Sequence, residues 1–113
     1  MEQRVKPRVV VRWRGMVARA PQGVYPVTVD NIAEDGLGLH SEQAFRVNEQ
    51  LALTMEIPAR HGVGSRPLVL RAEVKVVFSV FESKSSSFRV GMSITKMDEA
   101  QHAVLRDKVA HPR

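Results

Sequence analysis

Apolar and polar residues alternate two by two along most of this chain, and the period is the one a strand uses, not a helix. The clearest stretch sets Leu51, Leu53, Met55 and Ile57 against Gln50, Ala52, Thr54 and Glu56. A helix turning every 3.6 residues would scatter that apolar set around its surface. Leu68 to Phe81 reads as a long strand with Leu68, Leu70, Ala72, Val74, Val76, Phe78 and Val80 inward and Arg71, Glu73 and Lys75 outward. The polar, serine-rich stretch from Glu82 to Ser87 makes a hairpin loop. Its partner strand carries Phe88, Val90, Met92 and Ile94 on one face.

Nearer the start, Val9 to Ala20 alternates Val9, Val11 and Trp13 against Val10, Arg12 and Arg14. Past Gly15 the apolar set shifts to Met16 and Ala18, which predicts a bulge at the glycine. Pro21-Gln22-Gly23 turns the chain, and Val24 to Ile32 forms the next strand with Tyr25, Val27 and Val29 on one face. Ile32 falls on the opposite parity, so the strand is expected to kink near Asp30 and Asn31. A short strand, Gly36 to His40, follows. Pro58 to Pro67, with Gly62, Gly64 and two prolines, is a loop. Only Asp98 to Ala110 reads as helix, with Asp98 as N-cap, Gln101 three residues on, and Ala103, Val104, Leu105 and Val109 as its apolar side.

Six short strands and one helix within 113 residues fit a single domain with one core. Strands with one solvated face close most readily into an antiparallel barrel, which removes exposed edges. The helix is expected to plug or flank it.

Charge adds a second layer. Seventeen Lys and Arg against twelve Asp and Glu give +5, and the first fourteen residues hold five basic side chains against Glu2 alone. The absence of cysteine excludes a disulfide framework and a thiolate metal site, and suits a reducing cytoplasm. No apolar run approaches the ~20 residues of a spanning helix, so membrane insertion is not expected. His40, His61, His102 and His111 have no metal-ligand spacing. No nucleophile–base arrangement or phosphate loop entering a helix stands out, so an enzyme is not expected.

Two segments carry candidate chemistry. The first is the basic arm Arg4-Val5-Lys6-Pro7-Arg8; the second is Asn31-Ile32-Ala33-Glu34-Asp35-Gly36. Guanidinium groups take phosphates bidentately or lie over purine rings. In an extended arm Arg4 and Arg8 stand on one side about 13 Å apart, a span suited to a dinucleotide more than to one phosphate. Arg8 to Arg12 repeats the same spacing. Asn31 offers donors and an acceptor to a base edge, and Gly36 permits a positive-φ turn beside a ligand.

The R-x-x-x-R pair Arg4/Arg8, followed by a near match to (D/N)-x-S-x-x-G at Asn31 and Gly36, resembles the PilZ domain family. The frame extends through Leu37-Gly38-Leu39 and Phe88-Arg89-Val90-Gly91-Met92 to the closing helix. The resemblance implies a mainly β fold, a six-stranded antiparallel PilZ-like split barrel over residues 9–113 with a C-terminal helix at about 98–110, preceded by a flexible basic arm at residues 1–8. It implies cyclic di-GMP as ligand, without metal or other cofactor, held by Arg4, Arg8, Asn31, Ala33 and Gly36, with Arg12 and Gly38 next in rank. Ala33 stands where the family has Ser. A missing hydrogen bond of ~0.5–1.5 kcal/mol, or an unsatisfied partner at ~1–3, weakens binding roughly three-fold to a hundred-fold.

The leading expectation is therefore a stand-alone cytoplasmic bacterial receptor whose arm changes conformation on binding cyclic di-GMP and signals to an unidentified protein partner in motility, biofilm or exopolysaccharide control. The alternative is a degenerate protein adaptor that does not bind nucleotide. A third reading, a small nucleic-acid-binding barrel, draws on the +5 charge, but only six aromatic residues, mostly at inward parities, leave few stacking platforms.

Overall fold

β-Branched and aromatic residues at every second position leave the backbone one stable outcome, strands that bury one face. The computed structural model describes residues 7–59 and 66–112. In chain order they form β1 (Val9–Arg19), β2 (Gly23–Ala33), β3 (Gly36–Ser41), β4 (Gln50–Ile57), β5 (Leu68–Glu82), β6 (Ser87–Met97) and α1 (Glu99–Ala110). The strands close into an antiparallel barrel in the order β1-β2-β3-β6-β5-β4, with β4 returning to β1. Its interior is filled by Val17, Val29, Ile32, Leu37, Leu39, Leu53, Met55, Leu70, Val74, Val76 and Val90, all essentially without solvent contact.

The two ends are sealed differently. At one, the β3–β4 connection inserts Phe45, which meets Tyr25 edge to face at 6.5 Å. Arg19 holds that connection, donating to Glu49 at 2.6 and 3.0 Å with its guanidinium 4.7 Å from the Phe45 ring centre. This fork-on-carboxylate contact keeps the Glu49 carboxyl below the usual range. At the other end α1 lies over Trp13 and Ile57, burying Leu105 and Val109. Asp98 caps it, its carboxylate accepting from the backbone N–H of Ala100 and Gln101 at 3.1 and 3.2 Å. Gln101 does not complete a capping box; its side-chain oxygen accepts from the backbone of Arg71 at 2.7 Å and ties the helix to β5.

Four register shifts interrupt the described strands, one of them between Glu73 and Val74 against β6; of the other three, which aim side chains, only one sits where the alternation places it. The expected kink in β2 is present: the β2–β3 register shifts between Val29 and Asn31. The bulge in β1 is not at Gly15, which pairs regularly with Val27 and Met55, but between Val10 and Trp13. Inward parity therefore runs through Gly15 to Val17, and Met16 points out. Gly15 is small because a Cβ there would sit 3.1 Å from both the Thr54 carbonyl and a Val27 methyl. In β5 a shift between Val76 and Phe78 reverses the facing of the strand's second half. Phe78 and Val80, expected inward, are 37% and 48% exposed, and Leu68 at the strand's start is also exposed.

Candidate functional site

The β2 kink has a direct consequence for Asn31. Asp30 takes up the extra residue, so Ile32 is buried while Asn31 turns to the outer surface of the barrel opposite Gly38. Gly38 in turn pairs with Gly91 of β6, and Gly91 with Phe78 of β5. Asn31, Gly38, Gly91 and Phe78 thus cross four strands at one level. A Cβ on Gly38 would come within 2.7 Å of the Asn31 amide nitrogen, and one on Gly91 within 2.3 Å of the Phe78 ring. Two glycines side by side form a floor over which an amide and an aromatic ring lie flat.

This floor belongs to a cleft of about 260 Å³ lined by Arg8, Asn31, Leu37, Gly38, Leu39, Phe78, Arg89, Val90 and Gly91. Arg8, just ahead of β1, donates from Nη1 to the Asn31 Oδ1 across 23 residues of sequence. On the opposite rim the Arg89 guanidinium lies 5.5 Å from the Phe78 ring centre, a cation–π distance. The cleft therefore offers two guanidinium groups, an amide, an aromatic face and a bare backbone floor. That set suits a ligand combining anionic oxygens with a flat, hydrogen-bonding ring.

The sequence-selected residues divide. Arg8, Asn31 and Gly38 come together in the cleft. Arg4 lies outside the described residues, as does His61. Arg12 is exposed in the β1 bulge and is not among the cleft's lining residues. Ala33 and Gly36 pair with each other across the two-residue turn Glu34-Asp35, and both are buried, Ala33 at 2% exposure. Gly36 does not use positive φ; it is small because a Cβ would lie 2.7 Å from the Met92 carbonyl. The turn is held from below, the backbone N–H of Ile94 donating to the Asp35 carbonyl at 2.9 Å and the His102 ring lying 2.8 Å from the Glu34 carbonyl.

Phe78, Arg89 and Gly91 are not among the site residues expected from the sequence, although Arg89 and Gly91 stand in the family frame. The available signal was the Arg89-Val-Gly91 triplet, which sets a charge and a glycine on one strand face two residues apart.

Beside the cleft, His40 sits between two carboxylates. One ring nitrogen contacts Asp30 and the other lies 3.1 Å from Glu82, whose second oxygen faces Arg89 at 3.5 Å. The bond to Glu82 raises the His40 pKa, partial burial opposes it, and Asp30 adds to the rise. The same bond lowers that of Glu82. Among the described residues no cluster of three or more His, Asp or Glu is placed to hold a metal ion, and no helix is long and apolar enough to cross a membrane.

Among solved structures, the Bacillus subtilis inhibitor of motility, MotI/DgrA, superposes with a TM-score of 0.82 at 14% identity, over 99% of this chain and 52% of that one. This chain thus spans about half the length of that protein. The PilZ domain of Escherichia coli YcgR, solved with c-di-GMP, superposes with a TM-score of 0.66 at 12% identity, over 96% of this chain and 90% of that one. At such identities the likeness concerns the fold. No curated protein matches the chain in sequence. The sequence model of the PilZ domain matches residues 2–111, and the chain belongs to that family.

Proposed function

We propose that this chain is a cyclic di-GMP-binding adaptor, in which the arm carrying Arg4 and Arg8 closes over the Asn31–Gly38–Gly91–Phe78 floor and the altered surface engages a protein partner in motility control. The observation that carries the reading is the Arg8–Asn31 hydrogen bond at the mouth of a glycine-floored cleft. Arg8 and Asn31 hold a guanine edge and a phosphate, Phe78 and Arg89 flank a second ring, and Arg4 completes the clamp from the arm. The ligand then shifts the arm toward its closed position by its preference for that state. MotI, named for inhibition of motility, and YcgR, solved with c-di-GMP, support the ligand and the output. The role is that of a binding module in the cytoplasm, not of an enzyme.

Titration calorimetry of the full chain with cyclic di-GMP tests this. The wild type is expected to bind, and Arg8→Ala to weaken binding roughly ten-fold to a hundred-fold, the loss of a charge-assisted contact of ~1.5–3 kcal/mol. No heat from the wild type at high micromolar ligand overturns the proposal. The second reading, an adaptor without nucleotide, is favoured by Ala33, which lacks the family hydroxyl and is buried away from the cleft lining.

A further inference from the structure

Strand β4 accompanies β5 only from Leu68 to Lys75, whereas β6 follows it to Glu82. The backbone of Asn48 and Glu49 continues the ladder for one residue, bonding the Val76 carbonyl and N–H at 2.8 and 3.0 Å. From Val77 onward no hydrogen-bond partner for the β4-side edge is found among the described residues. That open edge reads Val77-Phe78-Ser79-Val80-Phe81, and its four apolar side chains are 54%, 37%, 48% and 54% exposed. Natural sheets blunt such edges with Lys, Pro or inward charges. None stands within these five residues. The Ser79 hydroxyl, in their middle, is buried without a hydrogen-bond partner.

The segment's flanks say what covers it. Lys75 precedes the apolar run and Glu82 follows it, so the stretch is basic at one end, acidic at the other and apolar between. Two copies laid antiparallel bring each Lys75 end beside the other's Glu82 end; laid parallel, they would set like charges together. We propose that the β5 edge is a homodimer interface, in which Val77–Phe81 of one copy pairs antiparallel with the same segment of a second copy about a two-fold axis passing at Ser79, joining two barrels through one continuous sheet.

The pairing is isologous, as a two-fold interface must be, and it closes, leaving neither edge open for further addition. Phenylalanine and valine side chains of the two copies become cross-strand neighbours, the aromatic and β-branched contacts that stabilise antiparallel pairs. The interface requires no nucleotide, so it stands or falls apart from the function proposed above.

Sedimentation velocity of the full chain without ligand, from low to high micromolar concentration, reads the mass directly. It is expected to rise from 12.6 kDa to twice that value and no further. Val77→Lys and Phe81→Lys put a charge into the edge and are each expected to hold the chain at monomer mass with an unchanged far-ultraviolet dichroism spectrum. The chain has no cysteine, which permits a second measurement that does not depend on those variants. Ser79→Cys is expected to form a covalent dimer under mild oxidation, because a residue on a two-fold axis meets its own copy. Ser86→Cys, in the β5–β6 turn, is expected to stay monomeric. A wild type at monomer mass throughout, with no more cross-linking at position 79 than at 86, overturns the proposal. So does growth beyond a dimer, which would mean the edges add without closing.

Discussion

The segment from Asn31 to Gly36 holds two regions with opposite duties. Asn31 faces solvent over Gly38, meets Arg8, and packs against nothing that the core needs. Ala33 and Gly36, two and five residues on, are buried where the β2–β3 turn meets β6 and α1. A motif that looks uniform in the sequence is thus a contact residue joined to a packing device. The packing half fixes where the contact half points. Gly36 lets β3 approach the Met92 carbonyl, and that approach sets the register which places Gly38 beside Gly91. Substitutions in the two halves should therefore separate, one set acting on stability and the other on ligand.

Leu105→Ala should show the largest effect on the packing side. Leu105 is fully buried where α1 closes the barrel, and truncating such a side chain costs about 2–5 kcal/mol through lost transfer energy and the cavity left behind. Chemical denaturation would show the midpoint moving with the slope unchanged. Should stability hold, the helix is an appendage and not a lid.

The sharpest contrast comes from Gly36→Ala beside Asn31→Ala. The first forces a methyl toward a backbone oxygen that cannot rotate away, and overpacking of that kind costs about 1–3 kcal/mol. The second removes a surface amide and should leave stability within about 0.5 kcal/mol while weakening cyclic di-GMP binding. Thermal melts and calorimetry on both variants check it. A stable Gly36→Ala that fails to bind would erase the division drawn here and make Gly36 a contact residue.

How the two halves divide also marks how far sequence reasoning reaches. All six strands follow from alternation, because a two-residue period survives wherever the backbone stays regular, and the helix follows from its Asp98 cap and the spacing of its apolar residues. The kink at Asp30 was legible because apolar residues of both parities, Val29 and Ile32, had to reach one core. In β5 the same logic failed. Phe78 and Val80 extend the inward set without interruption, and nothing local reveals that Val77 is a bulge, since Val77 is itself apolar. The flip that brings Phe78 onto the cleft floor depends on the β6 register, a long-range fact. Gly36 misled in a different way: a glycine wanted for its missing Cβ looks the same in sequence as one wanted for positive φ. Arg8 and Asn31, 23 residues apart, could be joined only through the family frame.

Ala33→Ser probes the boundary between the halves with a smaller effect. The family hydroxyl, restored at this buried position, adds at most one hydrogen bond to the bound state, about 0.5–1.5 kcal/mol, or roughly three-fold to ten-fold tighter binding by calorimetry. Unchanged affinity with lowered thermal stability would place position 33 wholly on the packing side.

The smallest expected effect lies at the cleft's margin, where His40 clips Asp30 of the β2 kink to Glu82 at the end of β5. Its pKa is raised in the folded chain, chiefly by Glu82. A raised histidine favours the folded state fully below its unfolded value, about 6.5, and loses that contribution as pH climbs through the higher folded value. Arg89, facing the same Glu82, competes for the carboxylate and limits the gain. With all three side chains of the clip about a third exposed, solvent screening holds the effect to that of a surface ion pair. The melting temperature of the wild type should fall by roughly 1–4 °C more than that of His40→Gln between mildly acidic and mildly alkaline buffer. Parallel curves for the two proteins would show that the kink holding Asn31 outward is fixed by the β2–β3 register alone, with no help from the charges beside it.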